Sequence, residues 1–116
     1  MRAECYAHRG DVEAAMADLN FLLKHRYREV STVLPLVAND IDEALQLILT
    51  ERRKELLFRG LRFPDVKRLN KEGAGIAFRR WLNGMEYILK PDDLRFALPI
   101  PDEVLEREPT ISPNPQ

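Results

Sequence analysis

The chain has 116 residues, enough for one domain, with a formal net charge of −1 and 45% hydrophobic residues. This composition excludes disorder along most of the chain, and no apolar run approaches the roughly 18 residues that a membrane-spanning helix needs. The start shows no basic and apolar signal region. "MRAE" before Cys5 is polar and short, so Cys5 is interpreted as an ordinary helix residue.

The first part of the chain is predicted to form a helical hairpin. Helix formers over residues 1–9 end at Gly10, and Asp11 is the predicted N-cap of the next helix. The apolar connection after the second helix, residues 27–39, is expected to lie against the core. The second helix carries one apolar stripe at helical spacing: Val12, Ala15, Met16, Leu19, Leu22 and Leu23.

A longer helix is predicted to follow and to end at Gly60. It opens with a capping box, in which Asp40 is followed three residues later by Glu43. Glu55 and Arg59 are four residues apart and are expected to form a surface ion pair. The predicted buried face of this helix consists of Ile41, Ala44, Leu45, Ile48, Leu49, Leu56 and Leu57.

The second half of the chain is less regular. Pro64 is expected at the first position of a short helix, "PDVKRL". Residues 76–90 fit either a helix or an extended segment. Six prolines from Pro91 onward exclude regular helix over most of the tail, although "DEVLER" can form one or two turns. The tail is nevertheless expected to pack, because a linker has no use for its apolar residues Phe96, Leu98, Ile100, Val104 and Leu105.

No residue pattern points to catalysis, a metal or a cofactor. Cys5 and His8, one helical turn apart, supply two positions of a zinc site at most, and no second pair exists. "KEGAG" lacks the strand and the Lys-Ser/Thr context of a phosphate loop, and no catalytic triad motif is present. We therefore expect a protein that is not an enzyme, with no metal and no cofactor.

The middle of the chain is basic, with a net charge of +5 over residues 51–89 between two acidic ends. A basic segment with aromatic residues, "ERRKELLFRGLRFPDVKR", is compatible with contacts to nucleic-acid phosphates. However, Glu51, Glu55 and Asp65 interrupt the bases, and Arg52 falls near the apolar stripe. This pattern favours a buried ion-pair network over nucleic-acid binding.

Trp81 and Tyr87 are the candidate ligand-binding residues. Sugar rings present apolar C–H faces that stack on aromatic side chains, while their hydroxyls need polar partners. The alternative is that both aromatics pack the tail onto the helices, as large aromatic side chains commonly do.

Three segments together resemble the C-terminal part of the SusD/RagB family. They are "RAECYAHRGDVEAAMADLNFLLKHRY", similar to the family's tetratricopeptide-like hairpin, then "ILTERRKELLFRGLRFPDVKRL", and finally "YILKPDDLRFALPIPDEVLEREPTISPNP". The resemblance covers nearly the whole chain. The matched motif positions look architectural rather than ligand-binding: Glu51, Arg52, Glu55, Gly60, Arg62, Asp65, Arg68, Pro99, Ile100 and Pro101.

This resemblance implies one SusD-like region over residues 1–116, mainly α, helical over residues 1–70 and mostly irregular over residues 71–116. It also implies a C-terminal fragment of a longer surface lipoprotein of Bacteroidetes. Such proteins capture glycans without catalysis, as a lid on a TonB-dependent, SusC-like outer-membrane transporter. The signal and the lipid anchor would lie upstream. The family's ligand residues vary, so none is carried over.

The alternative function is that of a small tetratricopeptide-like protein-interaction module, with the tail as a linker. The tail discriminates between the two hypotheses. Order in the tail favours the SusD-like function, whereas protease sensitivity favours the module.

Overall fold

The computed structural model describes residues 2–27 and 35–114 and confirms a mainly α fold. The chain divides into two compact units, Met1–Gly60 and Leu61–Gln116. The described part of the first unit is built from helices, and the second unit combines helices with a two-stranded sheet. In chain order the elements are α1 (Arg2–His8), α2 (Val12–Lys24), α3 (Ile41–Glu55), α4 (Arg62–Lys71), β1 (Phe78–Leu82), β2 (Met85–Leu89), a 3₁₀ helix (Leu94–Phe96) and α5 (Asp102–Arg107).

Helices α1 and α2 form the predicted hairpin. Gly10 has a φ of +83°, the left-handed conformation that commonly ends a helix. The Asp11 carboxylate then caps α2 by accepting a 3.0 Å hydrogen bond from the backbone N–H of Ala14. Farther along, Arg2 of α1 pairs with Asp18 of α2 at 2.5 Å, so the hairpin is also joined at its open end.

The core of the first unit depends on three alanines, one from each helix. Ala7, Ala15 and Ala44 are completely buried, and their methyl side chains allow the helix backbones to approach closely. The stripe predicted for α2 faces this core except at Leu22, which is 39% exposed. Larger buried side chains fill the remaining space: Met16, Leu19, Leu23 and Ile48.

The described part of the connection after α2 lies against this core, as predicted. The Asn20 side chain holds the backbone of Leu36 through two hydrogen bonds of 2.9 Å. Its Nδ2 donates to the Leu36 carbonyl, and the Leu36 N–H donates to Oδ1. Leu36 and Ala38 are partly buried against the core cluster. Residues 28–34 of the predicted connection lie outside the described residues.

The start of α3 is capped nearly as predicted. The Asp40 carboxylate accepts a 2.8 Å hydrogen bond from the backbone N–H of Glu43. The return bond goes elsewhere: the Glu43 carboxylate accepts from the backbone N–H and the side-chain amide of Asn39, at 2.8 and 2.9 Å. The capping box therefore closes one residue earlier than expected.

The predicted extension of α3 to Gly60 is wrong. The helix ends at Glu55, and the chain then turns through Phe58, whose φ of +59° is incompatible with a right-handed helix. Leu56 is half-buried, but Leu57 is exposed and Phe58 is 97% exposed, so the predicted buried face ends at Leu56. Ile41, at the opposite end of α3, is exposed as well.

The predicted ion pair between Glu55 and Arg59 does not form. Because α3 ends at Glu55, the two residues are no longer one helical turn apart. Glu55 instead pairs with Arg26, which follows the end of α2. A contact between residues 29 positions apart thus replaces the local one.

Helix α4 begins at Arg62, two residues before the predicted start. Pro64 is therefore the third helical residue rather than the first. Proline is tolerated there because the N–H groups of the first turn have no acceptor within the helix. Asp65 lies in the first turn, where the helix dipole favours a carboxylate, as predicted.

An asparagine side chain fixes the loop after α4 in the same way that Asn20 fixes the backbone of Leu36. Asn70 Nδ2 donates to the carbonyl of Ile76 at 2.8 Å, and the Ile76 N–H donates to Asn70 Oδ1 at 2.7 Å. One helix-borne amide thus satisfies both backbone groups of the residue that leads into β1.

The tail is anchored by an aromatic cluster of Phe63 from α4, Phe78 from β1 and Phe96 from the 3₁₀ helix. The ring centroids of Phe63 and Phe96 are 5.2 Å apart, and Phe78 lies 6.1 Å from each. Phe96 is 7% exposed, and its carbonyl accepts a 3.3 Å hydrogen bond from Lys67 Nζ. These contacts confirm that the tail packs on a helix.

Beyond the 3₁₀ helix the tail is more exposed. "DEVLER" forms α5, and Asn114 Nδ2 donates to the carbonyl of Leu98 at 2.7 Å. Ile100 and Leu105 are half-buried as expected, whereas Leu98 and Val104 are exposed, contrary to the prediction. Part of the tail therefore remains exposed to solvent.

Candidate functional site

The segment that periodicity left open, residues 76–90, contains a β-hairpin. Strands β1 and β2 are antiparallel, with Phe78 opposite Leu89, and are joined at Asn83 and Gly84. Both turn residues have positive φ, 50° and 78°, as a two-residue type I′ turn requires. Asn-Gly between apolar residues, as in "WLNGMEY", is a strong hairpin signal that hydrophobic periodicity does not register.

Trp81 and Tyr87 lie on opposite faces of this hairpin. In the strand register Trp81 is opposite Glu86, and Tyr87 is opposite Arg80. Cross-strand partners share a face, and consecutive residues of a strand alternate between faces. The two candidate residues therefore do not form one stacking platform. We call the two surfaces the Trp81 face and the Tyr87 face.

The Trp81 face combines an exposed indole with paired charges. Trp81 is 70% exposed. Beside it, Arg79 donates a 3.2 Å hydrogen bond to the carboxylate of Glu86. Among the described residues, phenylalanines make the ring contacts between the tail and the rest of its unit. Trp81 is therefore not used to pack the tail and stays accessible to a ligand. An apolar ring next to hydrogen-bonding groups is the combination that a sugar ring needs.

Arg95 ties the tail to the hairpin. Its guanidinium donates to the backbone carbonyl of Ile88 at 3.2 Å and to the Asp93 carboxylate at 2.6 Å. Asp93 in turn caps the 3₁₀ helix by accepting from the Arg95 backbone N–H at 3.0 Å. The position of β2 is therefore coupled to a charged contact in the tail.

Lowering the pH from about 4 to about 2 is expected to release this contact. Hydrogen bonds from Arg95 hold the pKa of Asp93 at about 2, below its ordinary 3.8. A depressed carboxyl pKa contributes stability above the unfolded-state value, and this contribution is lost as the pH falls through the folded-state pKa. NMR titration of the Asp93 carboxyl carbon measures that pKa directly.

The control for this titration is Asp93→Asn. In that variant the amide signals of Ile88 and Arg95 should no longer respond to pH over the same window. A measured Asp93 pKa close to 3.8 would contradict the contact.

A shallow recess of about 150 Å³ lies at the hairpin. Pockets for drug-sized ligands are typically about 300–1,000 Å³, so this recess accommodates only part of a ligand. Three arginines are among the residues that line it. Its lining residues are Phe78, Arg79, Arg80, Tyr87, Ile88, Leu89 and Arg95.

The family-like motif residues of α3 lie elsewhere, in the first unit. A groove of about 370 Å³ there is lined by the buried Leu19 and Ile48 and by the motif residues Glu51 and Arg52. The Glu51 carboxylate accepts a 2.5 Å hydrogen bond from Lys54 Nζ. The Lys54 side chain is 58% exposed and the Glu51 side chain 11%, so this pair joins a largely buried carboxylate to a cation at the surface.

The other motif residues lie at turns and near helix ends. Gly60 has a φ of +70°, where a side chain would be strained. Arg68 Nη1 donates to the carboxylate of Glu72, the C-cap residue of α4, at 3.3 Å. Glu55 is the last residue of α3, and the others lie at helix starts or close to them: Arg62 and Asp65 in the first turn of α4, Pro101 as the N-cap of α5, and Pro99 and Ile100 just before it.

Neither a metal cluster nor a membrane span is found over residues 2–27 and 35–114. No three His, Cys, Asp or Glu side chains in these ranges are grouped so as to hold a metal ion, and Cys5, which the sequence paired with His8, is exposed. None of the helices in the same ranges combines the length and the apolar character needed to cross a bilayer.

The model of the SusD family matches the chain over residues 1–116. No curated protein matches it. The match includes the helical hairpin, the motif residues and the β-hairpin with its two aromatic faces.

Proposed function

The chain belongs to the SusD family, and we propose that the Trp81 face of its β-hairpin binds an oligosaccharide during nutrient uptake. Proteins of this family are binding proteins rather than enzymes, and membership supports a general role in glycan binding. The proposal assigns that role to a particular surface of this chain.

The observation that carries this proposal is the exposure of Trp81. A large aromatic side chain that is 70% exposed on a hairpin represents apolar area that a ligand can cover. Arg79 and Glu86 on the same face offer donors and acceptors to sugar hydroxyls, and their mutual hydrogen bond fixes their positions. A neutral sugar ring matches this face because the two charges cancel.

Replacing Trp81 by alanine is expected to lower the affinity for a bound oligosaccharide about tenfold, because the stacking surface is lost. Trp81→Phe should retain most of the affinity, since it keeps an aromatic face. Isothermal titration calorimetry against a panel of neutral and acidic oligosaccharides measures both variants.

The matched control is Phe21→Ala, which removes an aromatic side chain of similar exposure from α2 in the other unit. It should leave the affinity unchanged. Equal losses in Trp81→Ala and Phe21→Ala, or no binding to any member of the panel, would contradict the proposed function.

The ordered tail favours this function over a small protein-interaction module. In such a module the tail would be a linker, whereas here Phe96 is 7% exposed and packs against the rings of Phe63 in α4 and Phe78 in β1. Limited proteolysis tests the same point: cleavage within residues 94–100 of the folded chain would instead favour the module.

The finer parts of the proposal concern the assembly. We propose that the chain is the C-terminal portion of a longer outer-membrane lipoprotein of Bacteroidetes and acts with a TonB-dependent, SusC-like transporter. Exposed apolar side chains of the first unit, such as Phe21, Leu22 and Ile41, support this, because helical-repeat units are stabilised by neighbours. An adjacent transporter gene, with a reading frame for the remaining part directly upstream, would be the expected genomic context. Unrelated neighbours would contradict this assembly.

A further inference from the structure

The Tyr87 face carries an arginine without a counterion. Arg80 lies directly opposite Tyr87 in the strand register. The Cβ atoms of such a pair are about 4.5–5.5 Å apart. Both side chains are exposed, Tyr87 at 49%. A guanidinium and a phenol ring are therefore presented side by side.

The other two arginines at the hairpin are neutralised. Arg79 pairs with Glu86 at 3.2 Å, and Arg95 pairs with Asp93 at 2.6 Å. Within the part of the chain that the structure describes, Arg80 has no hydrogen-bond or ion-pair partner. The charge of Arg80 is thus available to a ligand.

The strand residues around Arg80 do not compensate its charge. By the alternation of the register, none of the described strand residues on this face is acidic: they are Phe78, Arg80, Leu82, Met85, Tyr87 and Leu89. A single positive charge on an apolar and aromatic surface attracts an anion that also has an apolar side. An acidic sugar, with its C–H faces and its carboxylate or sulfate, combines these two properties.

Resting on the function proposed above, we propose that the Tyr87 face binds an acidic sugar residue, so that the ligand of this hairpin is an anionic oligosaccharide. The sugar ring stacks on Tyr87, and its anionic group accepts hydrogen bonds from Arg80. The planar guanidinium can donate two parallel hydrogen bonds to a carboxylate, which adds orientation to the charge attraction.

An apolar protein surface fits this face less well. It would cover Leu82 and Met85, but it would also remove Arg80 from water without a counterion, which costs free energy. An anionic sugar covers apolar area and supplies the counterion together. The acidic ligand therefore accounts for both the exposed ring of Tyr87 and the uncompensated charge of Arg80.

The test is titration calorimetry of the full chain with three probes. Trigalacturonate carries carboxylates, its methyl ester has the same rings without charge, and a κ-carrageenan oligosaccharide carries sulfates only. We expect at least one anionic probe to bind about tenfold more tightly than the ester. The carboxylate and sulfate arms identify the anionic group. Salt at about 0.5 M should weaken the preference, because the contact is exposed.

Arg80→Gln should abolish the preference for the anionic probe over the ester. The matched control is Arg53→Gln, which removes the charge of an exposed arginine of α3, in the other unit. That variant should keep most of the preference. Arg80→Lys keeps the charge but not the planar fork, so an intermediate preference is expected. Far-UV circular dichroism checks that all three variants fold.

Two results would overturn this inference and leave the proposed function standing. One is equal binding of the anionic probes and the ester, and the other is an equal loss of preference in Arg53→Gln and Arg80→Gln. A wild-type chain that binds no oligosaccharide of the larger panel would remove the proposed function, and the inference with it.

Discussion

Replacing Phe96 by alanine is expected to destabilise the second unit by about 3–5 kcal/mol, the usual cost of removing a buried phenylalanine. Phe96 is 7% exposed and contacts the rings of Phe63 and Phe78, so the substitution empties the centre of the aromatic cluster. Because the tail is held at this point, residues after the 3₁₀ helix should become accessible to protease. Urea denaturation gives the free energy of unfolding, and timed proteolysis reports on the tail.

The matched control is Leu98→Ala, two residues further along the tail. Leu98 is 68% exposed, so its removal should change stability by well under about 1 kcal/mol. Similar losses for both variants would mean that the tail is not anchored through Phe96.

Replacing Leu19 by alanine is expected to cost about 2–5 kcal/mol in the first unit. Leu19 is 3% exposed and belongs to the core cluster that joins α1, α2 and α3. The loss combines the transfer of apolar area with a cavity that the neighbouring helices cannot fully close. Far-UV circular dichroism during urea denaturation measures it, since this unit supplies most of the helix.

Leu22→Ala is the control, with the same chemical change on the same helix. Leu22 is 39% exposed, so we expect a loss of about 1 kcal/mol or less. A larger loss at Leu22 than at Leu19 would mean that the helix presents a different face to the core.

Helix starts were predictable because their signals are local. The caps at Asp11 and Asp40 depend on backbone N–H groups three residues away, which the sequence displays directly. The stripe of α2 was predictable for a similar reason, since helical periodicity determines which side chains share a face. Leu22 departs from it because the position at the edge of the stripe depends on what the neighbouring helices cover.

The end of α3 was not predictable from local sequence. Its last residue, Glu55, pairs with Arg26, 29 residues earlier. Sequence spacing favoured Arg59 as the partner, but a contact across the unit replaces that pair. The aromatic cluster has the same non-local character, because Phe63, Phe78 and Phe96 come from three separate elements.

Part of the candidate site could be predicted from the sequence. Asn83-Gly84 predicts a two-residue hairpin turn, and such a turn fixes the register of the flanking strands. Counting outward from this turn along the sequence is sufficient to place Trp81 and Tyr87 on opposite faces. The partners of Arg95, in contrast, depend on where the tail returns to β2, and only the folded chain determines that.

The side chains of Asn20 and Asn70 each form two hydrogen bonds with the backbone of one later residue, as a neighbouring strand would. The amide nitrogen donates to the carbonyl, and the amide oxygen accepts from the N–H. Only an amide offers both at this spacing. Hydrolysis of either side chain to aspartate would turn its donor nitrogen into an anionic oxygen facing the carbonyl of Leu36 or Ile76. Replacing this one nitrogen by oxygen would thus convert a hydrogen bond into a repulsion between two oxygen atoms. The backbone contacts at Leu36 and Ile76 therefore last only as long as the two side-chain amides remain intact.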